Sequence, residues 1–393
     1  MPSRDRVRGR GPGGGELSTP RLRRDTPERA GLDAAELRRL VREVHDLTAG
    51  ERPWAAGAVV VAGRGPVIAV AEAAGWAARY AAYDPGADRG VELPPRERAP
   101  MTLDTPFDVA SLTKLCTAVA AVQQIERGTL GIDARVGAYL PEFHAAARHG
   151  VTVRNLLTHT SGLRPELPLY DAPDDAARLA LLRAEPPVTA PGASPLYSDL
   201  NMLLLQHVLE RVTGRSLDVL IHEGITRPLG MASTGFGPCP GAAATEDQRR
   251  PWAKADRGML RGEVHDENAW ALGGVAGHAG LFSTAADLAA FCRALLGGGA
   301  YGPARILGPD FVDLLLAPPG LGFAVDQPWF MGELAGRGAA GHTGFTGTSL
   351  VLDRATDTFL VLLANTVHPR RRPGDSRPRA RAATRLARAV RGA

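Results

Sequence analysis

Phe107-Asp108-Val109-Ala110-Ser111-Leu112-Thr113-Lys114 sets a serine three residues before a lysine, at the mouth of an apolar run. On a helix, positions three apart share a face, so the Ser111 hydroxyl and the Lys114 amine come within hydrogen-bond reach. That pairs a nucleophile with an amine able to take its proton. The pattern fixes just two positions, and a serine capping a helix beside a solvated lysine is the plainer alternative. Composition argues against it. Of 46 Lys+Arg, only Lys114 and Lys254 are lysines, and the chain has 11 serines. Random placement would give roughly 0.06 such pairs. Arginine keeps its proton inside a protein, whereas a desolvated lysine can lose it. A lysine here, in a chain that otherwise uses arginine, points to chemistry that needs a removable proton.

Working outward, a helix is expected over 111–127. Leu112, Leu115, Cys116, Val119, Val122 and Ile125 supply its apolar face, and Gly128 suits its left-handed stop. Upstream, Asp33 can cap a helix carrying Leu37, Leu40, Val41 and Val44. Two β-like runs follow at 57–62 and 66–70, with Gly63-Arg64-Gly65 as the turn, and 77–106 reads as a proline- and charge-rich approach loop. Residues 151–330 mix helices and loops, with strong helices at 200–213 and 284–296. Strands return at 347–353 and 358–364, and a basic helix closes the chain at about 376–391. Strands and helices at both ends with a helical stretch between them predict an α/β (α+β) fold. Its antiparallel sheet is flanked by the N- and C-terminal helices, with a mostly helical insertion.

The chain has 393 residues, 44% hydrophobic and 22% charged, which suits a large globular core. Residues 1–31 carry 8 Arg against 4 acidic residues, and 369–393 carry 9 Arg against Asp375. The tails are thus +4 and +8, so a net charge of +4 for the whole leaves the body at −8. No aromatic residues interleave with these arginines as a stacking surface for bases requires, so no nucleic acid is expected. Residues 1–31 read instead as a disordered basic tail, rich in Gly, Pro and Arg. Cys116, Cys239 and Cys292 show neither disulfide nor metal spacing. No apolar run reaches the length of a membrane span, and the first residues lack the apolar core of a secretory signal, so a cytoplasmic protein is expected.

Further along, in order, stand Asn155-Leu156-Leu157-Thr158-His159-Thr160-Ser161-Gly162-Leu163, Tyr197-Ser198-Asp199, Gly277-His278-Ala279-Gly280-Leu281-Phe282-Ser283-Thr284 and Gly341-His342-Thr343-Gly344. With the Ser111 stretch, this ordered set resembles the serine β-lactamase and penicillin-binding-protein superfamily. The resemblance is nearest its class C-like branch of D-aminopeptidases, DD-carboxypeptidases and esterases, and runs from about residue 32 onward. Val264-His265-Asp266-Glu267-Asn268 ahead of Ala276-Gly277-His278 looks like the penicillin-binding-protein-4B type. The resemblance implies one β-lactamase-like catalytic domain over 32–391, with an α/β lobe at 32–106 and 318–391 and a helical lobe at 107–317. It also implies acyl transfer through an ester on Ser111, with Lys114 and Tyr197 sharing the proton work. The backbone N–H groups of Ser111 and of Phe345, after His342-Thr343-Gly344, would form the oxyanion hole. No cofactor or metal is implied, and the substrate would be a small ester or peptide. An amine or alcohol could also intercept the acyl-enzyme, making a transferase or cyclase, and a receptor holding its acyl ligand permanently is the non-catalytic alternative.

Two departures from the commonest family pattern bear on chemistry. Asp199 stands where many members have asparagine, and an ionised carboxylate near Lys114 would keep that lysine protonated and shift load to Tyr197. His342 stands where β-lactamases usually have lysine, and a mostly neutral histidine removes a permanent cation for a substrate carboxylate. That tilts the expectation away from penicillin hydrolysis. His159 reads as a structural, hydrogen-bonded residue. His265, Asp266, Glu267 and His278 lack a tight metal-ligand spacing and read as a polar loop lining the cleft. Gly273-Gly274-Val275-Ala276-Gly277 marks a close backbone approach rather than a phosphate loop. Trp270, Trp329 and Phe345 are candidates for the wall of an acyl pocket, or for ordinary core.

Overall fold

The structure is a computed structural model and describes residues 20–390. Its centre is an antiparallel sheet assembled from both ends of the chain. The hairpin Gly57–Arg64 with Val67–Ala78 and the hairpin Ser349–Asp353 with Thr358–Ala364 join edge to edge, Val61 opposite Val361. Ala340–Thr343 pairs beyond Ser349–Asp353, and Ala324–Val325 lies outside it. Both faces of the sheet are covered, which explains why its strands read as continuous apolar runs. Val59, Val61, Phe359, Val361 and Leu363 face the large core shared with the helical lobe. Ala58, Val60, Ala62, Leu360, Leu362 and Ala364 face a second core. The period-two alternation of a strand sends neighbouring residues to opposite sides.

That second core is closed by the helices Ala34–Leu47 and Arg377–Ala389, which pack on each other. Asp33 caps the first, accepting from Ala35 N–H at 2.6 Å. Arg385 of the last helix pairs with Glu36 and Glu43, so part of its basic face holds its neighbour rather than facing solvent. On the other face, Ala285–Leu296 packs against the central strands. The Thr113–Glu126 helix runs through the middle of the helical lobe. It is buried on every side from Thr113 to Gln124, not along one stripe as expected. Helices Asp199–Thr213, Leu217–Ile221 and Pro309–Leu316 surround it. Its polar side chains are satisfied: Thr117 donates to Gly277 O at 2.8 Å, and Gln123 to Gly224 O and Ile306 O.

Three local expectations need correction. The disorder expected over 1–31 does not extend through 20–31: Arg23–Arg24 lies parallel to Val67–Ala78, and the rest of that tail lies outside the described residues. Backbone pairing on a sheet edge holds a segment whose composition alone has little to bury. The approach loop 77–106 contains a hairpin, Tyr80–Asp84 with Arg89–Glu92, because Tyr80 and Tyr83 bury one side of it. The first hairpin turns at Gly65-Pro66, with Arg64 paired to Val67, and Gly63 sits at a bulge. Among the described residues, no helix is long and apolar enough to cross a membrane.

Candidate active site

Asp108, at the end of the short strand Phe107–Asp108, is fully buried and organises the turn that carries Ser111. Its carboxylate accepts from Ala110 N–H at 2.8 Å and from His265 N–H at 2.6 Å. Ala110 is held at φ +48, a left-handed conformation that a residue with a Cβ adopts at a cost. The turn 344–348 clamps the same segment: Thr346 Oγ1 donates to Asp108 O at 2.8 Å, and Thr348 Oγ1 to Val109 O at 3.1 Å. Gly344 must be glycine for this approach, since a Cβ there would meet Val109 O at 2.5 Å. The strand that bears His342 and Thr343 is thereby fixed beside the short 3-10 turn Ala110–Leu112 that bears Ser111. Among the described residues, the backbone N–H groups of Ser111 and Phe345 donate no hydrogen bond.

Ser111 Oγ receives two hydrogen bonds, from Lys114 Nζ at 2.7 Å and from Tyr197 Oη at 3.1 Å. Lys114 is wholly buried, donates to His278 O at 3.1 Å, and forms an ion pair with Asp199 at 2.8 Å. Burial alone would pull its pKa down, but the Asp199 carboxylate and the Tyr197 oxygen outweigh that and hold it above the ordinary value. Lys114 therefore rests as ammonium. Asp199 opens the helix Asp199–Thr213, where a negative charge meets the positive end of the helix dipole. Its own pKa is lowered, burial being outweighed by Lys114 and His278. The carboxylate thus lies against Lys114, the condition under which the sequence makes Lys114 the poorer base.

Tyr197 lies between two imidazoles. His159 stacks on it at 4.7 Å between ring centres, and His342 is tilted at 5.9 Å. Burial, with help from Lys114, pushes His159 down to about 3 and His342 to about 4, so both are neutral at pH 7. His342 Nδ1 donates to Thr343 O at 2.7 Å. His159 Nδ1 accepts from Ser198 N–H at 3.2 Å, and Asn201 Nδ2 lies 3.0 Å away.

The polar loop 264–268 divides between two partners. His278 meets Asp266 at 2.9 Å, and the ligand-capable atoms of Asp199, Asp266 and His278 lie within 4.8 Å of one another. The Lys114 ammonium already supplies this group with a cation. His265 turns to Glu246 at 2.7 Å, and Glu267 to Arg371 at 2.5 Å. The close approach expected of the glycine run is real at Gly277, where a Cβ would meet Met202 O at 2.2 Å.

Ser111 and Tyr197 open into a cavity of about 800 Å³, walled by His342 to Phe345, Trp329 and Trp54. Trp270 is not in its lining and lies instead under Arg257, 4.9 Å from the guanidinium carbon. Sequence reading misses Arg379. It is buried beneath the 344 turn, donates to Gly344 O and Ser376 Oγ at 3.2 Å, and covers Trp54. Burial lowers it to about 10. In the sequence it is one of many arginines on a basic helix, and no local signal sets it apart.

A serine receiving hydrogen bonds from an ammonium and a phenol, beside two free backbone donors, is the equipment of a serine acyl-transfer enzyme. The Beta-lactamase family model matches residues 37–384, and the chain belongs to that family as a serine hydrolase. It is 33% identical over 306 residues to an Escherichia coli K12 protein named "Putative D-alanyl-D-alanine carboxypeptidase", covering 68% of this chain and 70% of the relative. It is 32% identical over 312 residues to the N-acetylmuramyl-L-alanine amidase of Bacillus subtilis, covering 70% of each. Among solved structures, EstCE1, a hydrolase with promiscuous acyltransferase activity, superposes with a TM-score of 0.68 at 23% identity, over 90% of this chain and 98% of its own. That likeness establishes a shared fold.

Proposed function

We propose that this protein hydrolyses small D-amino-acid peptides or esters through an acyl-enzyme on Ser111. The observation that carries the reading is the pair of hydrogen bonds converging on Ser111 Oγ from Lys114 and Tyr197. Because Lys114 rests protonated, Tyr197 is the base: once its own proton has passed to solvent, the phenolate takes the serine proton along the 3.1 Å contact as Ser111 attacks the carbonyl, and becomes a phenol again. The Lys114 ammonium, 5.0 Å from the Tyr197 ring centre, stabilises the phenolate that precedes this transfer. The carbonyl oxygen turns into the N–H groups of Ser111 and Phe345, donors worth about 3–4 kcal/mol each in comparable sites. Tyr197 then returns the proton to the leaving amine or alcohol and activates the water that releases the acyl group. The neutral His342 supports esters and peptides over penicillins. The two lobes, 32–106 with 318–391 and 107–317, form one catalytic domain with Ser111 at their junction.

The test is turnover of p-nitrophenyl butyrate and of N-acetyl-D-alanyl-D-alanine by the wild type and by Ser111→Ala, with mass spectrometry after a fluorophosphonate. Wild-type turnover and a single adduct, both lost in the variant, are expected. Equal activity in both proteins would remove Ser111 from the mechanism. A permanent substrate adduct without turnover would mark a receptor.

A further inference from the structure

We propose that Arg52 and Arg372 form an anion subsite at the junction of the catalytic cavity with a second cavity, and that it holds a substrate carboxylate away from the scissile bond. The second cavity, of about 620 Å³, is walled by the hairpin Tyr80–Asp84 with Arg89–Glu92. Arg52, Pro53, Trp54, Thr366 and Arg372 line both cavities, so the two meet along that ridge.

Charge on the ridge is unbalanced in a particular way. Within the second cavity Glu92 is paired with Arg79 and Arg98. Asp84 accepts from the N–H groups of its own turn at Gly86 and Ala87. Asp88 accepts from Tyr83 Oη at 2.5 Å and pairs with Arg370 at 3.8 Å, and the charges of Arg52 and Arg372 act on it from farther off. In the catalytic cavity Asp375 is paired with Arg377 at 2.9 Å, and Arg379 is bonded to Gly344 and Ser376. The side chains of Arg52 and Arg372 form no ion pair and no hydrogen bond among the described residues. Arg89 and Glu51, farther along the second cavity, are likewise unpaired. Of the five arginines that line these walls, Arg79 and Arg379 are engaged, and of the three without an ion pair or hydrogen bond two, Arg52 and Arg372, stand on the shared ridge. Guanidinium groups with open donor forks select planar carboxylates. The nucleophile's own surroundings offer an anion little: Lys114 is neutralised by Asp199, and His342 is uncharged. A carboxylate-bearing substrate entering from Ser111 therefore finds its first free cations at Arg52 and Arg372. The carboxylate can belong to the acyl part or to the leaving group.

This inference rests on the hydrolase reading for the place where substrate sits, not for its chemistry, so binding tests it without turnover. In Ser111→Ala protein at low ionic strength, tryptophan fluorescence would follow three ligands. These are N-acetyl-D-alanyl-D-alanine amide, which is neutral; N-acetyl-D-alanyl-D-alanine, charged on the leaving group; and N-succinyl-D-alanyl-D-alanine amide, charged on the acyl part. One charged ligand should bind about fivefold tighter than the neutral one, and added salt should erode that advantage. Adding Arg52→Gln and Arg372→Gln should reduce the advantage to less than about twofold, while the melting temperature stays within about 2 °C. The favoured ligand assigns the side. Equal binding of all three ligands, no binding of any, or an advantage that survives the double substitution would overturn the subsite.

Discussion

Behind Ser111, Lys114, Asp199, His278 and Asp266 alternate in charge and reach the serine hydroxyl through Lys114. Beneath Phe345, Glu246, His265, Glu267 and Arg371 form a second buried cluster of similar size. Glu246 is wholly buried and is held by His265 and by Arg371 at 2.8 Å. This cluster reaches no reacting atom. It reaches the backbone, through His265 N–H on Asp108 and through the faces of His265 and Arg371 against the Phe345 ring, each 5.5 Å away. One cluster lies against the serine hydroxyl, and the other braces the segments that carry Ser111 and Phe345. Similar chemistry thus has separable consequences: damage to the first should show in rates, and damage to the second in stability.

The largest effect is expected at Lys114. Lys114→Met should lower kcat/KM for a p-nitrophenyl ester by about 10³-fold. It should also lower the melting temperature, since Asp199 is left without its partner. Next comes Glu246→Gln, with a stability loss of about 3 kcal/mol in urea unfolding and fluorophosphonate labelling retained in the cold. The two clusters should also differ with pH, since the first alone adds a histidine whose contribution is lost on the alkaline side. Burial would raise Glu246, but His265 and Arg371 outweigh it, so its folded pKa lies below the ordinary 4.5. Its contribution is present above 4.5 and is lost as pH falls through the folded value. Burial would lower His278, but Asp266 outweighs it, so its folded pKa lies above 6.5. That contribution is present below 6.5 and is lost as pH rises through the folded value. Melting temperature against pH should lose part of its acid limb in Glu246→Gln and part of its alkaline decline in His278→Gln. An unchanged acid limb would mean that the second cluster is not held by charge.

A smaller effect separates the roles of Lys114 and Tyr197. Asp199→Asn removes the charge that does most to hold Lys114 protonated, and burial is then opposed by Tyr197 without that charge, so the Lys114 pKa falls. The profile of kcat/KM against pH should gain an inflection absent from the wild type, with a rate change of about tenfold at pH 7. An identical profile would show that Lys114 keeps its proton by other means.

The motif-bearing parts of both clusters are legible in the amino-acid sequence. Ser111 and Lys114 stand out through the scarcity of lysine, and Tyr197, Asp199 and His342 through order along the chain. The central strands are legible because burial on both faces makes them uniformly apolar, as in Thr358–Ala364. Edge strands such as Arg23–Arg24 and Ala324–Val325 are not, since two paired residues carry no period. The second cluster is half visible. His265 and Glu267 read as part of a polar loop, but Glu246 and Arg371 lie far from them in sequence, on segments without a motif. Pairing between distant residues is a property of the fold, and composition holds no trace of it. The buried Arg379 is hidden for the same reason.

Phe345 carries the contacts of the second cluster to the cavity onto which Ser111 opens, and it offers the finest test. Its side chain is 58% exposed, while its N–H is the proposed oxyanion donor. Phe345→Ala keeps the N–H and removes the ring that rests on His265 and Arg371. If Asp108, Thr346 and Thr348 hold the 344–348 turn, as their hydrogen bonds indicate, the donor stays in place without the ring. The kcat for a short ester should then fall by no more than about threefold, with less than about 1 kcal/mol lost in stability. KM should rise for bulky acyl groups alone, because the ring walls the cavity. Loss of a true oxyanion donor costs about 10²-fold or more in kcat. A drop of that size in Phe345→Ala would mean that the ring positions the backbone, and the line between the two clusters would then run through one residue.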